Sequence, residues 1–241
     1  MENLEKPRRI ELIDTMRGLC VVLMCIHHFL LDLIELCGAP YWLFSNPVFD
    51  VLHYLFAGMF IFLSGVSSRF SRSNVKRGLK CLAIAIAMTL VTALIDSIIV
   101  YGVLHLLGTC MLLYGLCSKA LDRIPRKTQP ALYIALLVFT AWLVKNVSIG
   151  NAARLLFMFG WTYPGFHSAD YFPIFPWVFV FLTGTWAGLY IRERRLPAWF
   201  YTAGYAPLSK IGKKALLIYV LHQPVFYGLI YGAKFIARLI K

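Results

Sequence analysis

Five of the six histidines in this chain stand in or at the edge of stretches made mostly of Leu, Ile, Val and Phe. An ionisable side chain at bilayer depth costs about 2.5 kcal/mol or more, so each needs a chemical reason to be there. The first apolar run holds four such groups: His27, His28, Asp32 and Glu35. His28 and Asp32 are one helical turn apart, as are Asp32 and Glu35, so these three share a helix face while His27 looks about 100° away. A carboxylate one turn from an imidazole fixes the ring's orientation and raises its basicity, the arrangement a general base needs. The same arrangement also serves as a contact within a helix bundle, and the residues alone leave both readings open. His53 opens the second apolar run shortly after Asp50. His105 opens the fourth, in Gly102-Val-Leu-His105-Leu-Leu-Gly108, and Asp96 nears the end of the third. His167 and Asp170 fall in the long connection before the sixth. His222 lies inside the last run, in Tyr219-Val-Leu-His222-Gln223-Pro224. Pro224 removes a backbone donor there, which predicts a kink beside a polar cavity; an interhelical hydrogen bond is the other reading.

The elements that carry these groups follow from composition. The chain has 241 residues, 60% of them hydrophobic and only 15% charged, and a mean hydropathy of +0.71. A soluble domain carries about a quarter charged residues, so a water-soluble enzyme, a disordered chain and a disulfide-stapled secreted module are all excluded. Seven segments reach the length of roughly 20 apolar residues that a spanning helix needs. They cover about 16–37, 49–69, 81–101, 103–120, 130–148, 171–191 and 215–237, with breakers at the joints. The expectation is an all-α, polytopic membrane bundle of seven, or with one further pass eight, helices forming a single domain over 1–241. The first segment is long for a signal peptide and has no small-residue cleavage site after it, so it reads as a retained helix.

The formal net charge is +13, from 24 Lys and Arg against 11 Asp and Glu. Nineteen of the 24 fall into four alternate groups. Lys6, Arg8, Arg9 and Arg17 enter the first segment. Arg69, Arg72, Lys76, Arg77 and Lys80 follow the second. Lys119, Arg123, Arg126 and Lys127 follow the fourth, and Arg192, Arg194, Arg195, Lys210, Lys213 and Lys214 lie between the last two. The positive-inside rule then makes the N-terminus cytoplasmic, with the protein a multi-pass resident of the cell membrane. An odd number of passes puts the C-terminus outside, against the pull of Lys234, Arg238 and Lys241; an eighth pass or a re-entrant last segment would satisfy both. The basic balance is thus a topology signal, and nucleic acid is not the partner it indicates. His53, His105 and His167 gather opposite the charge.

At the cytoplasmic mouth, Asp14-Thr-Met-Arg17-Gly18 offers a guanidinium fork suited to phosphate, or equally an anchor at the lipid headgroups. The six cysteines show no paired metal spacing and read as apolar packing residues, so no metal is expected. Ser64-Gly65 and the Gly184, Gly188 pair read as small-residue faces for close helix packing.

Asp14-Thr-Met-Arg17-Gly18, followed by an apolar run ending Met24-Cys-Ile-His-His28, resembles the first-span signature of the heparan-α-glucosaminide N-acetyltransferase catalytic-domain family, here as a short, bacterial-type member. Ala57-Gly-Met-Phe-Ile-Phe-Leu-Ser-Gly65, the Gly102–Gly108 stretch and Asp170-Tyr-Phe-Pro173-Ile-Phe-Pro176-Trp177 match the same family in order, as does the ending at Pro224. The resemblance implies a membrane acyltransferase that takes an acyl group, in the first place acetyl, from cytosolic acyl-coenzyme A to an amine or hydroxyl of a sugar on the far side. Family members rely on a histidine soon after the first span; residues 29–52 contain none, so the catalytic role is divided between His28 and His53, with Asp32 and Asp50 as orienting carboxylates. Arg17, His105, His222 and Gln223 are assigned to the acyl-coenzyme A path, and Asp170, Trp177 and His167 to the acceptor. The expected partners are the lipid bilayer, acyl-coenzyme A and a carbohydrate, with the chain working alone or as a homodimer. Two other classes stay open: a small proton-coupled transporter using the same buried His and Asp, although duplicated halves are not visible, and an assembly protein whose polar residues only hold helices together.

Overall fold

Apolar runs without strong β-bias, bounded by Ser, Pro, Gly and charged residues, fold as helices because a membrane leaves the backbone no other partner. The computed structural model describes residues 9–43, 46–94 and 97–240, and of Leu43 and Asp50 the backbone alone. Lys6, Arg8, Asp96 and Lys241, named above for their charge, lie outside the described residues. The long helices are α1 (Glu11–Cys37), α2 (Pro47–Ser68), α3 (Asn74–Ala93), α4 (Val103–Leu121) and α5 (Gln129–Asn146). After the short α6 (Ala153–Leu156) come α7 (Ile174–Arg192), the small α8 (Ala198–Thr202) and α9 (Ala206–Lys213), and finally α10 (Ala215–Leu239). Among the described residues, α1, α2, α4, α7 and α10 are long and apolar enough to cross a membrane. The all-helical expectation therefore holds, with five helices of spanning character.

Boundaries differ from the hydropathy reading where polar residues join the helices. α1 starts more than a turn before the apolar run and carries Asp14 and Arg17 as helical residues. It ends on Gly38 in the left-handed conformation (φ 69°), whose N–H and that of Ala39 satisfy the carbonyls of Ile34 and Leu33. α3 starts at Asn74, because the Ser73 hydroxyl accepts the Lys76 N–H. It stops at Ala93, well short of residue 101. The β-branched stretch that follows runs extended beside 168–172: Ala169 donates to the Ile98 carbonyl, the Val100 N–H to Ser168 Oγ, and Phe172 to the Tyr101 carbonyl. α10 continues as helix on both sides of Pro224.

The chain divides into two compact units. One holds residues up to Phe60 and from Leu196 onward, the other Ile61–Arg195. In the first, α1 packs on α9 and α10. Gly18 and Gly212 make the α1–α9 crossing: a Cβ on Gly18 would strike the Leu208 carbonyl, and one on Gly212 the Asp14 carbonyl. The two backbones touch, which only glycine permits. Thr15 Oγ1 accepts the Tyr205 N–H (2.9 Å) where α9 starts, and Lys234 of α10 donates to the Leu36 carbonyl near the end of α1. In the second unit α3 packs on α4, and α7 on α4 and α5. The last turns of α2 meet α7 at Gly65 and Gly184, the small-residue faces expected from the sequence. There the Arg69 guanidinium donates to both oxygens of Asp122 (2.9 and 2.6 Å) and to the Thr185 carbonyl (3.0 Å), with its face on Tyr114.

Candidate active site

The first unit gathers four imidazoles. α1 presents His27 and His28 on adjacent faces, with ring centroids 5.6 Å apart. α2 brings His53 against His27 at 4.6 Å, and α10 brings His222 against His28 at 5.1 Å. The rings thus form a row: His53, His27, His28, His222. One turn beyond His28 on α1, Asp32 is 2% exposed, and the Gln223 amide hydrogen-bonds to its carboxylate. Phe226, one turn beyond His222, closes the edge against both His222 and Phe29.

The hydrogen bonds fix where the lone pairs point. His222 Nδ1 sits 2.6 Å from the Tyr219 carbonyl. A carbonyl only accepts, so Nδ1 carries the proton and Nε2 carries a lone pair. That Nε2 is buried and has no hydrogen-bond partner among the described residues, and the same is true of Asp32 Oδ2 and Gln223 Oε1. Three buried acceptors carried on α1 and α10 therefore lack a hydrogen donor. Leaving such groups unmet costs about 1–3 kcal/mol each, so the arrangement fits a ligand rich in N–H or O–H donors. No group of three or more His, Cys, Asp or Glu among the described residues is placed to hold a metal ion.

Of the residues singled out in the sequence, the structure brings together His28, His53, Asp32, His222 and Gln223, and adds His27. Glu35 shares the Asp32 stripe by spacing but is exposed, outside the buried group. The Asp50 side chain lies outside the described residues. Arg17 belongs to the same unit, eleven residues before His28, about 16 Å along the helix axis. Its Nη1 donates to Asp14 Oδ1 at 2.6 Å, and Asp14 is buried, so the fork is held in one orientation.

His105, Asp170, Trp177 and His167 belong to the second unit. His105 Nδ1 accepts the Gly102 N–H (3.2 Å), and its Nε2 lies 3.2 Å from Thr89 Oγ1, whose own hydrogen goes to the Ile99 carbonyl (2.5 Å). Asp170 Oδ2 accepts the Val103 N–H (3.0 Å) at the N-terminus of α4. Trp177 packs on Phe172, and His167 is exposed. His105 and Asp170 thus fasten the start of α4 to the segments on either side of it. Sequence reasoning missed His27 as a member of the site. The adjacent pair His27-His28 was its one signal, and the partner on α2 could not be read from spacing.

The family model described as heparan-alpha-glucosaminide N-acetyltransferase, catalytic, matches residues 9–224. The chain belongs to that family. No curated protein and no solved structure matches it. As a member of the heparan-α-glucosaminide N-acetyltransferase catalytic family it is a membrane transferase of the acetyltransferase kind. The match includes all four imidazoles of the row, Asp32 and Gln223, and it closes at Pro224, one residue after Gln223.

Proposed function

We propose that this protein transfers an acetyl group from acetyl-coenzyme A to the amine of a sugar-type acceptor, and that the His222, His28, Asp32 and Gln223 group is where the amine reacts. The observation that carries this reading is the set of three buried, unmet acceptors, Asp32 Oδ2, Gln223 Oε1 and His222 Nε2. A primary ammonium has three hydrogens to give; a hydroxyl has one. Asp32 and Gln223 hold the nitrogen, and His222 Nε2 takes a proton from the ammonium, which frees the nitrogen's lone pair to attack the thioester carbonyl. Such general-base assistance is worth about 10²–10⁴-fold. The Tyr219 carbonyl keeps the His222 ring in the productive tautomer.

The donor's phosphates meet Arg17, whose fork Asp14 orients, and the basic loops around it; the pantetheine arm then runs along α1 toward His28. With the N-terminus cytoplasmic, as the charge asymmetry supports, the donor comes from the cytosol of a cell-membrane protein and the acceptor from the other side. α3 and α5 serve as further passes, seven in all, and the chain 1–241 acts as one catalytic domain. His53, on α2, completes the outer part of the site.

The test is transfer by the purified protein in detergent, with acetyl-coenzyme A and either glucosamine or glucose. Free thiol should appear together with N-acetylglucosamine, glucose should give neither, and His222→Ala should slow transfer about a hundredfold or more. Equal acetylation of glucose, or an undiminished rate in His222→Ala, would overturn the assignment.

A further inference from the structure

The row of imidazoles is longer than one base requires. We infer that His27 and His53 are a proton exit path, with His27 the relay that carries the proton of each turnover from His28 to His53. This rests on the acetyltransferase reading above. An amine held by three acceptors enters as R–NH3+. In the transfer the N–C bond forms and the C–S bond of the thioester breaks. The amide keeps one of the nitrogen's three hydrogens and the departing thiolate takes another. The third is a net proton, and it appears among Asp32 and His222, 2% and 8% exposed, where no solvent receives it. It must travel before the site can accept a second ammonium.

His28 is in ring contact with both His222 and His27, and His27 with His53, so the imidazoles form a continuous row leading away from the reacting group. His28 lies 5.1 Å from His222, His27 lies 5.6 Å from His28, and His53 lies 4.6 Å from His27, all between ring centroids. His222 is buried, and His28, His27 and His53 are each half-buried. Each ring can take a proton at one nitrogen and release one from the other, and at these separations a ring rotation or one bridging water brings neighbouring nitrogens into hydrogen-bond range. His53 stands two turns inside α2, about 9 Å from the start of that helix. The path thus ends near the N-terminal end of α2. The tilted His27–His53 pair, at 34°, also has a purely packing reading, which a benzene ring would satisfy equally. That difference supplies the test.

His27→Phe keeps the stack and removes the proton carrier. In the purified full chain, with acetyl-coenzyme A and glucosamine, we expect kcat to fall at least tenfold with the KM for acetyl-coenzyme A unchanged. The solvent deuterium isotope effect on kcat should rise. His27→Ala should be slowed similarly and regain activity severalfold on addition of free imidazole, while His27→Phe, with its ring filling the space, should not. A His27→Phe protein within twofold of the unaltered protein would overturn the relay and leave the acetyltransferase reading intact. So would a slow His27→Ala protein indifferent to imidazole. If the unaltered protein transfers no acetyl group, both readings fall together.

Discussion

Asp32→Asn separates a binding role from a packing role more cleanly than any other single change. Gln223 occupies one carboxylate oxygen of Asp32 as donor, and Oδ2 faces the site unmet. In the variant the amide must keep its oxygen toward Gln223, so its NH2 replaces Oδ2. An acceptor aimed at the incoming ammonium becomes a donor. A hydrogen bond to a charged group contributes about 1.5–3 kcal/mol, which converts to roughly 10- to 150-fold in affinity. The KM for glucosamine should therefore rise by about that factor, with the KM for acetyl-coenzyme A unchanged. Stability should move the other way or hold, because a neutral amide is cheaper to keep at bilayer depth than a carboxylate. The assays are initial rates over a range of glucosamine at saturating acetyl-coenzyme A, and thermal unfolding in the same detergent. An Asp32→Asn protein with unaltered glucosamine KM and a lowered unfolding midpoint would make Asp32 a helix-packing residue and refute the reasoning.

Three further changes test the scaffold and the donor end. Arg17→Gln should weaken acetyl-coenzyme A binding, measured by titration calorimetry, by about tenfold or more, since a charge-assisted contact to phosphate is lost; unchanged binding would move the donor's phosphates elsewhere. Gly212→Ala places a methyl against the Asp14 carbonyl at the α1–α9 crossing. The overpacking should cost about 1–3 kcal/mol, visible as a lowered thermal midpoint. Thr89→Val cuts the chain from His105 through Thr89 to the Ile99 carbonyl. Two part-buried polar groups lose their partner, and the protein should lose about 1–3 kcal/mol of stability with acetyl-coenzyme A affinity intact.

The sequence carries the helices plainly, because a run of apolar residues in a membrane has one backbone solution. It also places His28 above Asp32 and Gln223 beside His222, since those pairs sit on single helices. What it does not carry is the approach of one helix to another. That His27 meets His53 depends on the register of α2 against α1, and that His222 meets His28 depends on where α10 crosses; neither leaves a trace in spacing. Glu35 shows the reverse error, sharing a stripe with Asp32 yet lying exposed, because the stripe runs past the buried stretch near the helix end. His105 and Asp170 look like chemistry in the sequence, but in the fold each has a partner in the backbone around Gly102 and Val103. The Asp170 pairing bridges 67 positions. α3 begins earlier than hydropathy suggests because a serine cap and three cations belong to the helix, and it ends earlier because the following β-branched residues pair with 168–172.

The central claim is tested most directly by following the label from acetyl-coenzyme A. The protein is reconstituted in sealed vesicles, with radiolabelled acetyl-coenzyme A supplied to molecules whose N-terminus faces it and glucosamine trapped on the other side. The account predicts labelled N-acetylglucosamine in the glucosamine compartment, formed in step with free coenzyme A thiol and abolished by His222→Ala. Bound donor with no labelled sugar in that compartment, or label that appears only when donor and sugar share one side, would contradict it.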